Sequence, residues 1–197
     1  MTIIDSMKTI DLTSPALLII DMQRYFLDPE ADAFLEDAPA IIPNVISLID
    51  GFRSAKLPII YTRHAHRKGD PTGEMGRWWN EKLPWEGDWQ SELIIQLKPA
   101  HEEPVIVKTR YSAFMNTDLE THLRKKDVRG IVLCGVLTHL CVETTARHAF
   151  MLNFQPIIVS DACASESKAH HEAALLNLAH GFAYVCEIET IIHSLSP

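Results

Sequence analysis

Residues 16–21 read Ala16-Leu17-Leu18-Ile19-Ile20-Asp21, five consecutive apolar residues closed by a carboxylate. A run this short and this uniformly apolar fits a strand buried on both faces. Comparable runs recur along the chain: Pro58-Ile59-Ile60-Tyr61, Pro104-Val105-Ile106-Val107, Gly130-Ile131-Val132-Leu133-Cys134, Pro156-Ile157-Ile158-Val159 and Phe182-Ala183-Tyr184-Val185. Helical patterns separate them. Between Ala40 and Ala55, Ile41, Ile42, Val45, Ile46, Leu48, Ile49 and Phe52 recur at helical spacing until Lys56-Leu57-Pro58 ends the pattern. Further helices are predicted over 116–126, 139–153, 167–180 and 188–195. Alternating apolar strands and helices imply a doubly wound α/β domain, three layers deep, with a mostly parallel six-stranded sheet covered on both faces.

In such sheets ligands bind beyond the carboxyl ends of the strands. The residues there are Asp21, Arg63-His64, Lys108, Gly135-Val136 and Asp161. With Cys141, just after the fourth strand, they include an acid, a cation and a thiol that the topology can bring together. A thiol attacks as its thiolate. Cys141 is expected at a helix start, where the macrodipole favours negative charge, and a neighbouring lysine would lower its pKa further. A carboxylate such as Asp21 could take the thiol proton. Each residue also has a plainer reading: a helix cap for Asp21, a surface charge for Lys108, a packed thiol for Cys141.

One segment, about 63–90, has no clear periodicity. It holds all four tryptophans (Trp78, Trp79, Trp85, Trp89) and four of the eight glycines. Its aromatic content argues against disorder, so it is expected to be a loop insertion serving as a lid, a pocket wall or a subunit contact.

The 197 residues suit one domain, read here as 1–197. A net charge of -8 without any basic run points away from nucleic acid and anionic membranes, and an acidic surface of this kind mostly means solubility. No basic region followed by a long apolar stretch opens the chain, so no secretory leader is expected. Cys134, Cys141, Cys163 and Cys186 form no CxxC pair and fit a reducing compartment, with cytoplasm as the expectation. Cys134, Cys163 and Cys186 are expected in or near the core.

Three stretches carry a resemblance. Ile19-Ile20-Asp21-Met22-Gln23-Arg24-Tyr25-Phe26, then Val107-Lys108-Thr109-Arg110-Tyr111-Ser112-Ala113-Phe114, then Cys134-Gly135-Val136-Leu137-Thr138-His139-Leu140-Cys141-Val142-Glu143-Thr144-Thr145-Ala146-Arg147 stand in the order and strand context of the isochorismatase-like cysteine hydrolases. The resemblance spans roughly Ala16 to Val185. It implies Cys141 as nucleophile, Asp21 as proton acceptor and then donor, and Lys108 as the cation between them. It also implies a non-proline cis peptide between Val136 and Leu137, with the N–H groups of Leu137 and Cys141 as an oxyanion hole. The implied reaction is hydrolysis of an amide or N-carbamoyl C–N bond of a small-molecule substrate through a thioester, without a cofactor, by a homo-oligomer (dimer or tetramer).

The family divides by chemistry. Isochorismatases proper cleave a vinyl ether and are expected to lack the cysteine, so Cys141 favours C–N hydrolysis over that alternative. Nicotinamidases carry an Asp-x-His metal motif after the second strand, whereas this chain has His64-Ala65-His66. Two histidines two apart can bind zinc, but no further histidine lies between Arg67 and Gln90 to complete a site, so no metal is expected. His64, Phe26, Trp78 and Tyr111 are candidate pocket residues. Asp161 is expected to cap the following turn, and Glu143 and Arg147, at i and i+4, to brace the helix that carries Cys141. A non-catalytic binding protein on the same fold is the alternative from another class, and an inert Cys141 would mark it.

Overall fold

The computed structural model describes residues 12–195; the stretch read for a secretory leader lies outside them. Six strands, β1 (Pro15–Ile20), β2 (Ile59–His64), β3 (Val105–Lys108), β4 (Gly130–Val136), β5 (Gln155–Ala164) and β6 (Tyr184–Cys186), form one sheet in the order β3-β2-β1-β4-β5-β6. Every pairing is parallel. The helices are α1 (Arg24–Leu27), α2 (Ile42–Ser54), α3 (Gly73–Trp78), α4 (Leu119–Arg124), α5 (Glu143–Met151), α6 (Lys168–Gly181) and α7 (Ile188–Leu195). Among the described residues, no helix is long and apolar enough to cross a membrane.

The two-residue period of β1 explains the three layers. Leu17 and Ile19 join a core with Val45, Leu48 and Phe52 of α2 and Ile191 of α7. Ala16, Leu18 and Ile20 face the other way, into a core with Leu119 and Leu123 of α4, Ala146 and Ala149 of α5, and Leu178 of α6. The chain travels outward from β1 through β2 to β3 and then returns to place β4 on the other side of β1, so the connections leaving the neighbours β1 and β4 run in opposite directions. That reversal opens a crevice where a ligand can sit.

Several strands outrun their apolar signatures. β2 continues through Thr62, Arg63 and His64, held by pairing of Arg63 with Val107 and His64 with Lys108. β5 continues to Ala164 beside β4, across a register shift between Leu133 and Gly135. Backbone pairing depends on the neighbouring strand rather than on side-chain polarity, so these extensions were hidden. β6 starts later than its apolar run, because the N–H groups of Phe182 and Ala183 still donate to the Leu178 carbonyl at the end of α6. The helix expected over 116–126 is confined to α4. The one expected over 139–153 begins as a π-helical turn, Thr138–Val142, and becomes α5 only at Glu143. Helix α3 lies inside the segment read as irregular.

At the crevice, Gly135 adopts φ 113°. A Cβ built there would lie 2.1 Å from the Ile20 carbonyl oxygen, so only glycine lets β4 close on the end of β1. Asp21 follows immediately, itself at φ 49°.

Candidate active site

The ends of β1 and β3 and the π-helical turn after β4 bring three side chains together. The Lys108 ammonium lies 2.7 Å from Oδ2 of Asp21 and donates to Sγ of Cys141 at 3.2 Å. It also donates to the Arg110 carbonyl at 3.0 Å. Asp21, Lys108 and Cys141 are all buried. Burial works against the charge on Lys108, but the Asp21 carboxylate, together with the hydrogen bond that the Cys141 sulfur accepts, outweighs it and holds the lysine above its ordinary pKa.

The thiol departs from the sequence expectation. Burial raises the Cys141 pKa, and although Lys108 works against that shift, the Asp21 carboxylate reinforces it. The resting group is therefore a thiol rather than a standing thiolate, because desolvation of the sulfur exceeds what one lysine, already paired with a carboxylate, can offset. A base must remove the proton as the sulfur attacks.

Neighbours hold this arrangement in place. The Thr62 hydroxyl donates to Oδ1 of Asp21 at 2.6 Å and accepts from the Asp21 N–H at 3.1 Å. Gln23 straps the end of β2: its Oε1 accepts from the His64 N–H at 2.7 Å, while its Nε2 donates to the carbonyls of His64 and Ser91. The second motif docks onto the third through the Ala113 N–H, which donates to the Thr145 hydroxyl, and through the Ser112 hydroxyl, 2.8 Å from Nδ1 of His148. Sequence reading missed Thr62, Gln23, Thr145 and His148 as supports. Gln23, Thr145 and Ser112 lay within the quoted motifs, but nothing in spacing alone identifies their partners.

Of the three, Cys141 borders a cavity of about 220 Å³, with Asp21 and Lys108 buried behind it. Its walls include Phe26, Leu35, Trp79, Leu83, Tyr111 and Leu137, with His64 as a polar group beside Cys141. Phe26, His64, Tyr111 and Leu137 thus stand where the sequence put them, at the cavity. Trp78 does not. It is 78% exposed on α3, while its neighbour Trp79 lines the cavity and donates from Nε1 to the Tyr111 hydroxyl at 2.8 Å. Adjacent helical residues point in different directions, and only the packing of α3 selects which of the two faces inward. The Val136–Leu137 peptide is cis.

His64 and His66 are both buried: His64 ends β2, and His66 bridges to Trp85. Their Nε2 atoms lie 3.0 Å apart while the ring centroids are 5.1 Å apart. The rings therefore meet nearly tip to tip, with one nitrogen donating to the other, so their lone pairs do not converge on a third point. Burial first, then the Lys108 charge, keeps His64 well below the usual histidine pKa and hence neutral. A ring nitrogen of His64 also lies within 4.8 Å of both Sγ of Cys141 and a carboxylate oxygen of Asp21. A cation among those three would face the Lys108 ammonium, already in contact with two of them. The residues present do not fit the metal site that the nicotinamidase motif would imply.

The remaining candidates are structural. The Asp161 carboxylate accepts from the N–H of Ile188, so it caps α7 rather than the turn that follows it. Glu143 and Arg147 pair at 2.6 Å along α5. Cys134 and Cys163 are buried in the core and Cys186 is partly buried.

Known proteins resemble the chain over most of its length. A family model described as an isochorismatase domain matches residues 15–190. Nicotinamidase 3 of Arabidopsis thaliana is 38% identical over 182 residues, which cover 91% of this chain and 88% of that protein. The crystal structure of a cysteine hydrolase from Pseudomonas syringae pv. phaseolicola 1448A superposes with a TM-score of 0.89 at 30% identity, covering 92% of each chain. That of N-carbamoylsarcosine amidase from Thermoplasma acidophilum superposes with a TM-score of 0.79 at 28% identity, covering 89% of this chain and 96% of that one.

Proposed function

The chain belongs to the isochorismatase family, and from that premise we propose that it hydrolyses the C–N bond of a small amide or N-carbamoyl compound through a thioester on Cys141. The contact that carries this reading is the buried Lys108 ammonium, 2.7 Å from the Asp21 carboxylate and 3.2 Å from the Cys141 sulfur, beside a largely apolar cavity.

Asp21 takes the thiol proton as Sγ bonds to the carbonyl carbon, and the developing oxyanion is received by the N–H groups of Leu137 and Cys141, both at the cavity wall. The tetrahedral adduct collapses as its C–N bond breaks, and the proton held by Asp21 passes to the leaving nitrogen. Water, giving its proton to the same carboxylate, adds to the thioester; the C–S bond breaks, the acid departs and the thiol regains its proton. Lys108 holds one Asp21 carboxylate oxygen beside the sulfur, and the Thr62 hydroxyl fixes the other. The cavity of about 220 Å³, walled by Phe26, Trp79, Leu83 and Tyr111, suits a small acyl group with a flat or apolar body.

The test is ammonia release from a panel of small primary amides and N-carbamoyl compounds, with wild type and Cys141→Ala in parallel. Release by wild type that disappears in the variant is the expected result. No release from any compound, or release that survives loss of the sulfur, would overturn the assignment.

A further inference from the structure

The proposed mechanism gives no role to the imidazole that stands closest to its reacting groups. His64 lies in the cavity wall, and one of its ring nitrogens is within 4.8 Å of both the Cys141 sulfur and the Asp21 carboxylate. During hydrolysis the carbonyl carbon must reach that sulfur and the leaving nitrogen must reach that carboxylate. A polar side chain near both is beside the amide itself.

His64 is also held with unusual care. Gln23 fixes its backbone on both sides, and its Nε2 is tied to Nε2 of His66. His66 is anchored in turn, its N–H donating to the Pro84 carbonyl and its own carbonyl accepting from Glu86. The tip-to-tip contact leaves Nδ1 of His64 as the nitrogen not spent on His66. When His64 donates its Nε2 proton to His66, Nδ1 carries a lone pair. A buried neutral imidazole in that tautomer is an acceptor, and a primary amide or carbamoyl nitrogen has N–H groups to donate.

We propose that His64 is a specificity-determining residue that accepts an N–H from the leaving nitrogen of the substrate, with His66 as its positioning residue, and that this imidazole pair works without a metal. The proposal rests on the C–N hydrolase reading. It predicts a preference for substrates whose leaving atom is a nitrogen bearing hydrogen over the corresponding esters, whose leaving oxygen has no hydrogen to offer. The hydrogen bond would turn the nitrogen lone pair toward the proton held by Asp21, because the N–H given to His64 fixes the orientation of the amine as the C–N bond lengthens.

The experiment pairs the best primary amide of the panel with the methyl ester of the same acid and compares kcat/KM for both in each variant. In His64→Leu the amide-to-ester ratio is expected to fall about 10- to 100-fold, the cost of losing one buried hydrogen bond to substrate. His64→Gln, whose carbonyl can accept, should restore most of the ratio, and His66→Phe, which keeps the bulk but not the tie, should fall between them. A purely structural role would lower both rates together and leave the ratio unchanged, which overturns the proposal. A wild-type rate that collapses on chelation and returns only with added zinc overturns it as well. Hydrolysis that depends on Cys141 while the His64→Leu ratio stays constant removes this inference alone; hydrolysis independent of Cys141 removes the underlying reading too.

Discussion

Replacing Lys108 by methionine isolates what the buried cation contributes. The methionine stem fills most of the lysine's volume, so the change removes charge more than packing. In the native fold the ammonium and the carboxylate of Asp21 have no exposed side-chain surface and stand 2.7 Å apart. Without Lys108, Asp21 keeps the Thr62 hydroxyl at 2.6 Å but loses its counter-charge, and water has no access to replace it. Breaking one side of such a pair costs about 3–5 kcal/mol. With a urea slope of about 2 kcal/mol per molar, that moves the denaturation midpoint down by about 1.5–2.5 M. A proton can take the ammonium's place on the carboxylate, so the deficit should narrow as pH falls. In the double variant Asp21→Asn/Lys108→Met no buried charge is left unpaired. Urea melts of the two single variants and the double variant should therefore show a coupling of about 2 kcal/mol or more, with hydrolysis abolished in all three. A Lys108→Met midpoint within about 0.5 M of wild type, or a coupling below about 0.5 kcal/mol, would refute the electrostatic account of this centre.

Two further outcomes follow from the same geometry. Gly135→Ala places a Cβ 2.1 Å from the Ile20 carbonyl oxygen at φ 113°; it should cost about 3 kcal/mol or more and displace Asp21, the residue that follows β1, and a melting temperature unchanged in differential scanning calorimetry would contradict that contact. Burial raises the Cys141 pKa, so the thiolate fraction at a given pH is smaller than in a free thiol; iodoacetamide labelling of Cys141, followed by peptide mass mapping, should be slower than that of a free thiol at pH 7–8 and should keep rising with pH after a free thiol, half ionised at about 8.5, has levelled off. Rapid labelling at neutral pH would mean a standing thiolate and a different balance between Lys108 and burial.

That slow labelling also changes how inertness should be read. By sequence alone an unreactive Cys141 would have signalled a silent binding protein. In this fold burial of the sulfur is enough to make the thiol unreactive at rest, whether or not it catalyses, so only the dependence of hydrolysis on Cys141 separates the two cases.

The layers were legible in the order of the residues, and so was the edge of the sheet at which Asp21, Lys108 and Cys141 could meet. Short apolar runs such as Ala16–Ile20 can be satisfied only by burial on both faces, and a doubly wound sheet gathers its strand ends along one edge. Three motifs in the right order then linked those ends to one chemistry. What tertiary structure decided depends on direction and distance at a scale that spacing does not encode. Whether Trp78 or Trp79 faces the cavity turns on how the short helix α3 packs. The hold of Thr62 on Asp21 and of Gln23 on His64 joins residues 41 apart in sequence, across the β1–β2 pairing. His64 and His66 read as a possible half of a metal site until their rings were found facing each other. The protonation of Cys141 could not be read from its neighbours' charges, because desolvation in the folded interior outweighs the lysine that the sequence supplies.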